Sequence, residues 1–314
     1  MNNLIKKHPY KIEEHLNRIY LVPNARIGLE CIFDLMNLNK RNKILLPSYI
    51  GITKKEGSGI FDPVRRKKIG FEFYKINKNL AIDMKDFSKK IESSSIKAAL
   101  VVHYFGFVQC DLEKIVRICK NNKVFLIEDC AHAFMSKYRG RYLGTFGDAS
   151  VFSLHKTLPI PNGGLLIINN KNLNNPRVSN YNIPKKIIEL LYRFDMRKII
   201  EIRRKNYICL VKKISKLPNI QILYKKLPRG IVPLNLPILI KNVDRNEIYF
   251  KLLHRKIETT SLYYQLINQI NKKKFPISYY ISNHILNLPI HQDITAKDIE
   301  YMARVLKEIM CSKV

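Results

Sequence analysis

Phe125 to Asn170 reads FLIEDCAHAFMSKYRGRYLGTFGDASVFSLHKTLPIPNGGLLIINN. The stretch opens with an apolar run that ends in two acids, Glu128 and Asp129, and passes a second apolar run before reaching Lys156. Short apolar runs bounded by turn residues read as buried strands, so the acid and the lysine each stand at a strand exit. An acid and a lysine so placed suggest a cofactor site.

The chain around this stretch repeats the pattern. Ala98 to His103 reads as a buried strand, Leu112 to Asn121 as a helix and Val124 to Ile127 as the next strand. Further upstream, Arg26 to Leu38 has apolar residues at helical spacing, and Lys43 to Leu46 reads as a strand leaving into the turn Pro47-Ser48-Tyr49. Phe71 to Tyr74 is expected to be a strand and Met84 to Ile91 a helix. Strands alternating with helices predict an α/β fold with a mainly parallel sheet flanked by helices. Ligands in such folds sit beyond the carboxyl ends of the strands. After Asn170 the character changes. Residues 171 to 216 are basic and expected to be mostly helical, with breaks at Pro176 and Pro184. Strands are expected at Ile220 to Leu223 and Leu236 to Ile240, and helices at Asn246 to Lys256 and Asp298 to Met310. This predicts two units, residues 1–205 as a large α/β domain and residues 206–314 as a smaller α+β domain packed onto it.

Composition narrows the functional classes. With 314 residues, 46% hydrophobic and 26% charged, the chain has the make-up of a folded protein rather than a disordered one. Its 56 Lys and Arg against 25 Asp and Glu give a formal charge of +31. The positive residues are scattered in singles and short clusters such as residues 65–68 and 271–274, which reads more as compositional bias than as a nucleic-acid footprint. The basic segment from Lys185 to Lys213 is expected to be a solvated helical face. Six cysteines form no C-x-x-C pair and no zinc-spaced cluster with histidine, so no metal site is expected and a reducing compartment fits. The N-terminal residues are charged throughout, and no apolar run approaches the roughly 20 residues that span a bilayer, so the expectation is a cytoplasmic protein without a membrane partner.

The chemistry of the pair is more specific. An aspartate at the end of a buried strand can hold a cationic ring nitrogen, and a lysine in an apolar site has a lowered pKa and forms Schiff bases. Those are the two groups that pyridoxal phosphate requires. A cap on a following helix and a surface lysine are the plain alternatives for Asp129 and Lys156 taken singly.

The surrounding residues sharpen this. Asp129-x-Ala131-His132, Gly140-Arg141, Gly144 to Asp148, Phe152-Ser153, Lys156 and Gly163-Gly164 resemble, in order, the core motif of the DegT/StrS-type (DegT/DnrJ/StrS) sugar aminotransferases of the aspartate aminotransferase superfamily. Leu46 to Tyr49, Val102 to Gly106, Arg204 to Tyr207 and Leu288 to Ile290 extend the resemblance over most of the chain. It implies a fold type I pyridoxal-phosphate domain, an amino donor such as L-glutamate, a nucleotide-linked keto-sugar as acceptor, and a homodimer. By the same resemblance, Lys156 carries the cofactor, Asp129 meets the pyridinium nitrogen, Ala131 packs on the ring and His132 lies near the ring hydroxyl. Ser153 then bonds the phosphate, together with the turn containing Ala25 and Arg26 at the start of a helix.

The sequence also departs from the family pattern. Lys156 follows Ser153 by three residues, where many members have five or six, and Pro159 and Pro161 replace a Gly-Glu-Gly-Gly run. Gly51 stands where an aromatic residue often stacks on the ring, and no copy of the family's Arg-Tyr-Asn dimer segment is evident. Two alternatives stay open at this level: a dehydratase on the same fold, kept in view by His155, and a non-catalytic binding or regulatory member.

Overall fold

The computed structural model describes residues 18–311, apart from 55, 109, 179–188, 190 and 192. In chain order the first unit contains β1 (Arg18–Val22), α1 (Ala25–Leu35), β2 (Lys43–Pro47), α2 (Phe61–Arg66), β3 (Phe71–Tyr74), α3 (Met84–Ile91), β4 (Ile96–Val102), α4 (Leu112–Asn121) and β5 (Phe125–Asp129). A small hairpin, β6 (Lys137–Tyr138) and β7 (Arg141–Tyr142), precedes β8 (Ala149–Ser153) and β9 (Gly164–Ile168). The later elements are α5 (Met196–Ile214), β10 (Ile220–Ile222), β11 (Leu236–Ile240), α6 (Arg245–His254), α7 (Pro276–His284), β12 (Ile285–Leu288) and α8 (Ala296–Cys311).

Seven strands form one sheet in the order β1-β9-β8-β5-β4-β2-β3. Pairings among β3, β2, β4, β5 and β8 are parallel, whereas β9 runs antiparallel to β8 and β1 antiparallel to β9. This is the mainly parallel α/β sheet expected from the sequence. Every residue of β8 and all but the first of β5 are buried, as strands covered by helices on both faces must be. Helix α1 covers β8 and β9 with Leu29, Ile32 and Phe33, each worth about 1.5–3 kcal/mol when fully buried. Asp83, Asp111, Asp195 and Asp244 each accept a backbone N–H at the starts of α3, α4, α5 and α6, which fixes where those helices begin.

The second sheet, β10-β11-β12, is antiparallel and lies entirely after residue 218. The boundary expected at residues 205 and 206 falls inside α5, a continuous helix of 19 residues. In the basic segment, residues 171–178 form no helix, residues 179–188 lie outside the described residues, residues 189, 191 and 193 are helical, and α5 follows from Met196. Pro176 explains the first part, because the residue before a proline is pushed out of the helical region.

Candidate active site

Strands β4, β5 and β8 end side by side, and the residues just past their carboxyl ends line a cavity of about 310 Å³. All seven residues singled out from the sequence reach it: Ala25, Arg26, Asp129, Ala131, His132, Ser153 and Lys156. Register accounts for the grouping. Asp129 pairs with Val102 on one side and Val151 on the other, so the exits of three strands coincide.

Asp129 is only 5% exposed, and its Oδ1 accepts the Ala131 N–H at 2.9 Å. No helix follows, so this bond closes a tight turn rather than capping a helix. Burial raises the carboxyl pKa, and the Ala131 hydrogen bond and the charges of Lys156 and His103 oppose it without cancelling it. A buried acid so under-compensated favours a cationic partner.

Its neighbour Glu128 faces the other side of the strand and has a structural task. Fully buried, it accepts the N–H groups of Gly144 (3.0 Å), Phe146 (2.7 Å) and Gly147 (2.7 Å), and pairs with His103 Nε2 at 3.0 Å. Burial alone would raise its pKa, but the His103 contact and the backbone donors outweigh burial and hold it low. His103, Glu128 and Cys130 place ligand-type atoms within 4.8 Å of one another. The Glu128 oxygens are already engaged and burial keeps the Cys130 thiol protonated, so this cluster has the character of a loop anchor.

Lys156 ends a single 3-10 turn, Leu154–Lys156, directly after β8. The residue remains solvent-accessible through the cavity, while protein atoms surround its amine. That crowding lowers its pKa, against the opposing charges of Asp129 and Glu56. The Nζ lies 3.0 Å from His132 Nε2. His132 Nδ1 accepts the Phe105 N–H at 3.3 Å, and burial, reinforced by the charge of Lys156, keeps the imidazole well below its usual pKa. A neutral imidazole carries one proton and cannot accept at both nitrogens, so this proton belongs on Nε2. An Nε2–H facing Nζ favours the unprotonated amine over the ammonium, in the same direction as the crowding that lowers the lysine pKa.

The loop beyond Lys156 is fastened rather than loose. Leu154, Leu158 and Ile160 bury against Ile199 of α5. Thr157 O accepts Arg203 Nη2 at 3.2 Å and Gln292 Nε2 at 3.4 Å, while the Arg203 guanidinium also bonds Leu234 O (3.0 Å) and Gln292 Oε1 (3.0 Å). Sequence reading did not identify this clamp, because its members lie 46 and 135 residues from Thr157.

The opposite end of the cavity is the start of α1. Asn24 caps the helix by accepting Ile27 N–H at 3.1 Å, and the first turn carries no acid. Free N–H groups there attract anions. Gly164 makes the approach possible: a Cβ on it would lie 2.8 Å from Phe152 O, 2.9 Å from Asn24 C and 3.0 Å from Ala25 N. Ser153 Oγ lies beside this end, 3.3 Å from His155 Nδ1. Glu56, Asn162 and Tyr263 complete the lining without having been anticipated. For Tyr263 a signal existed in Gly51, whose missing side chain leaves room for another residue.

These residues fit pyridoxal phosphate: a buried acid for its ring nitrogen, an amine of lowered pKa for its aldehyde, and a helix start with Ser153 and Arg26 for its phosphate. Residues 72–178 match the model of the DegT/DnrJ/EryC1/StrS aminotransferase family. A GDP-perosamine synthase of Escherichia coli O157:H7 is 32% identical over 177 residues, 54% of this chain and 46% of that protein. The chain thus spans about half the length of the curated relatives it matches first. In fold, it is similar to a Streptococcus pneumoniae protein solved in its PLP form, with a TM-score of 0.80 at 14% identity over 94% of this chain and 88% of that one. It is also similar to a GDP-4-keto-6-deoxymannose-3-dehydratase, with a TM-score of 0.73 at 18% identity over 92% and 88%.

Proposed function

From a chain whose residues 72–178 match the model of the DegT/DnrJ/EryC1/StrS aminotransferase family, we infer a pyridoxal-phosphate-dependent sugar aminotransferase. One observation carries the reading: the Lys156 amine, its pKa lowered by crowding and 3.0 Å from His132 Nε2, shares a cavity with the buried, under-compensated Asp129. Pyridoxal phosphate supplies an aldehyde for amine exchange and a ring that accepts an electron pair from the reacting carbon.

The residues divide the remaining work. Lys156 Nζ would hold the cofactor's aldehyde, and crowding together with His132 Nε2 favours the nucleophilic, unprotonated form of the amine. When not bound to the cofactor, the same Nζ would serve as the proton-carrying base of the site. Asp129 holds the ring nitrogen in its protonated form by a charged hydrogen bond, which relieves its own burial. Ser153, Arg26 and the α1 N-terminus hold the phosphate, with Ala131 against the ring and His132 at its hydroxyl edge.

The amino donor is proposed to be L-glutamate; the acceptor is proposed to be a nucleotide-linked keto-sugar in aminosugar or surface-polysaccharide synthesis, in line with relatives named GDP-perosamine synthase and spore coat polysaccharide biosynthesis protein. A homodimer, a cytoplasmic location and a large cofactor-binding unit with a smaller C-terminal one belong to the same proposal. Among the described residues no helix is long and apolar enough to cross a membrane. The dehydratase alternative has less support, because Lys156 rather than His155 meets His132, and His155 is engaged with Ser153.

Purified protein should take up pyridoxal phosphate with a near-visible absorption band, and borohydride should fix the cofactor to a peptide containing Lys156. With L-glutamate and a keto-sugar nucleotide the product should be an aminosugar nucleotide. A colourless protein that takes up no pyridoxal phosphate would sink the reading.

A further inference from the structure

We propose that Tyr263 is the aromatic wall against which the cofactor ring packs, and that position 51 is glycine in order to admit it. The inference rests on the pyridoxal-phosphate reading above and assigns a residue from the far end of the chain to that site.

Among the described residues that line the cavity, Tyr263 is the one Phe, Tyr or Trp. His132 offers no free face on one side, since its ring stacks on Phe105 with centroids 5.8 Å apart and planes 16° apart. A flat heteroaromatic ring needs a flat, polarisable partner, and Tyr263 supplies one within reach of the polar groups that would hold it. Its ring centroid lies 6.3 Å from that of His132, and Asp129 is close enough to raise the phenol pKa further after burial has raised it. The phenol is therefore neutral.

Gly51 explains how the ring gets there. A Cβ at residue 51 would lie 2.0 Å from Tyr263 Cδ1, 2.1 Å from Cγ and 2.4 Å from Cβ, so any larger residue would collide with the ring's root. These are side-chain atoms of a backbone that cannot easily retreat. Ile52 N donates to Gln265 O and Ile267 N to Ile50 O, both at 3.1 Å, zipping the segment that carries Tyr263 to the turn after β2. Tyr263 N donates to Tyr49 Oη at 2.7 Å, and Tyr263 O accepts Ser282 Oγ at 2.8 Å. The aromatic face is thus positioned from the other side of the gap, with the glycine as its complement.

Cofactor affinity of the purified, cofactor-stripped protein, titrated with pyridoxal phosphate by absorbance and checked by equilibrium dialysis, tests this directly. Tyr263→Phe and Tyr263→Trp should bind within about threefold of the parent, because the ring rather than the hydroxyl makes the contact. Tyr263→Leu, which keeps bulk, should weaken binding on the order of tenfold, as expected for loss of an aromatic contact. Gly51→Ala should weaken binding as well by displacing the ring, and Gly51→Phe combined with Tyr263→Ala should recover part of the loss by restoring a ring from the other side. Circular dichroism melts separate these effects from unfolding. Binding by Tyr263→Leu as tight as, or tighter than, the parent overturns the inference while leaving the proposed function standing. Failure of the parent to bind pyridoxal phosphate overturns both.

Discussion

Replacing His132 with phenylalanine should raise the pKa of Lys156. The substitution keeps a ring of similar size stacked on Phe105, so burial of the amine changes little, but it removes the Nε2–H that donates to Nζ. That bond exists only with the neutral amine, so its loss withdraws support from the unprotonated form alone. A net hydrogen bond contributes roughly 0.5–1.5 kcal/mol. Since 1.36 kcal/mol corresponds to one pKa unit, the shift should be roughly 0.4–1.1 units upward. The value should still stay below that of an exposed lysine, because crowding is the first cause of the depression and persists. The assay is the pH dependence of Lys156 acylation in cofactor-free protein, read by peptide mass spectrometry against an exposed lysine as internal reference. An unchanged or lowered midpoint would refute the assignment of the proton to His132 Nε2 and with it the argument that His132 favours the unprotonated amine.

Other outcomes follow from the same geometry. Asp129→Asn should stabilise the cofactor-free protein relative to the parent as pH rises. The folded-state pKa of Asp129 is raised, so its contribution is favourable below the unfolded value and is lost as pH climbs through the folded one; thermal melts of both proteins across the acid-to-neutral range check this. Glu128→Ala should cost about 3–5 kcal/mol in denaturant unfolding, because it leaves three backbone donors and His103 without their buried acceptor. Arg203→Met should cost about 2–4 kcal/mol and, in hydrogen exchange, expose Leu154 to Leu158 more than the β5 strand beside it.

Local patterns carried most of the first unit. Apolar runs at β2, β4 and β5 and helical spacing in α1, α3 and α4 are properties of contiguous residues, so they were readable, and the seven candidate residues share one cavity. Edge strand β1, the six-residue α2 and helix α7 gave little signal. β1 is only partly buried, α2 is too short for a period to show, and α7 opens on a proline and mixes polar with apolar residues. The role of Glu128 was equally hidden. In sequence Glu128 is only the acid before Asp129, and strand alternation, which points neighbouring side chains to opposite faces, separates the two. Nothing local marks Tyr263 or Arg203, whose partners lie 214 and 46 positions away; for Tyr263 the glycine at position 51 signalled room for a ring without saying which residue fills it.

Those long separations bear on how the protein comes into being. All seven strands of the main sheet lie within the first 170 residues, whereas Tyr263 of the cavity wall and Arg203 and Gln292, which hold the Thr157 carbonyl, come later in the chain. Contacts so distant along the chain form late in folding. On the ribosome, the emerging chain would possess Asp129 and Lys156 well before it could hold a cofactor between them. A product ending before residue 263 would keep Asp129 and Lys156 but lack the Gln292 bond to the Thr157 carbonyl and the ring opposite Gly51, so under the proposed function it should bind the cofactor more weakly than the whole chain.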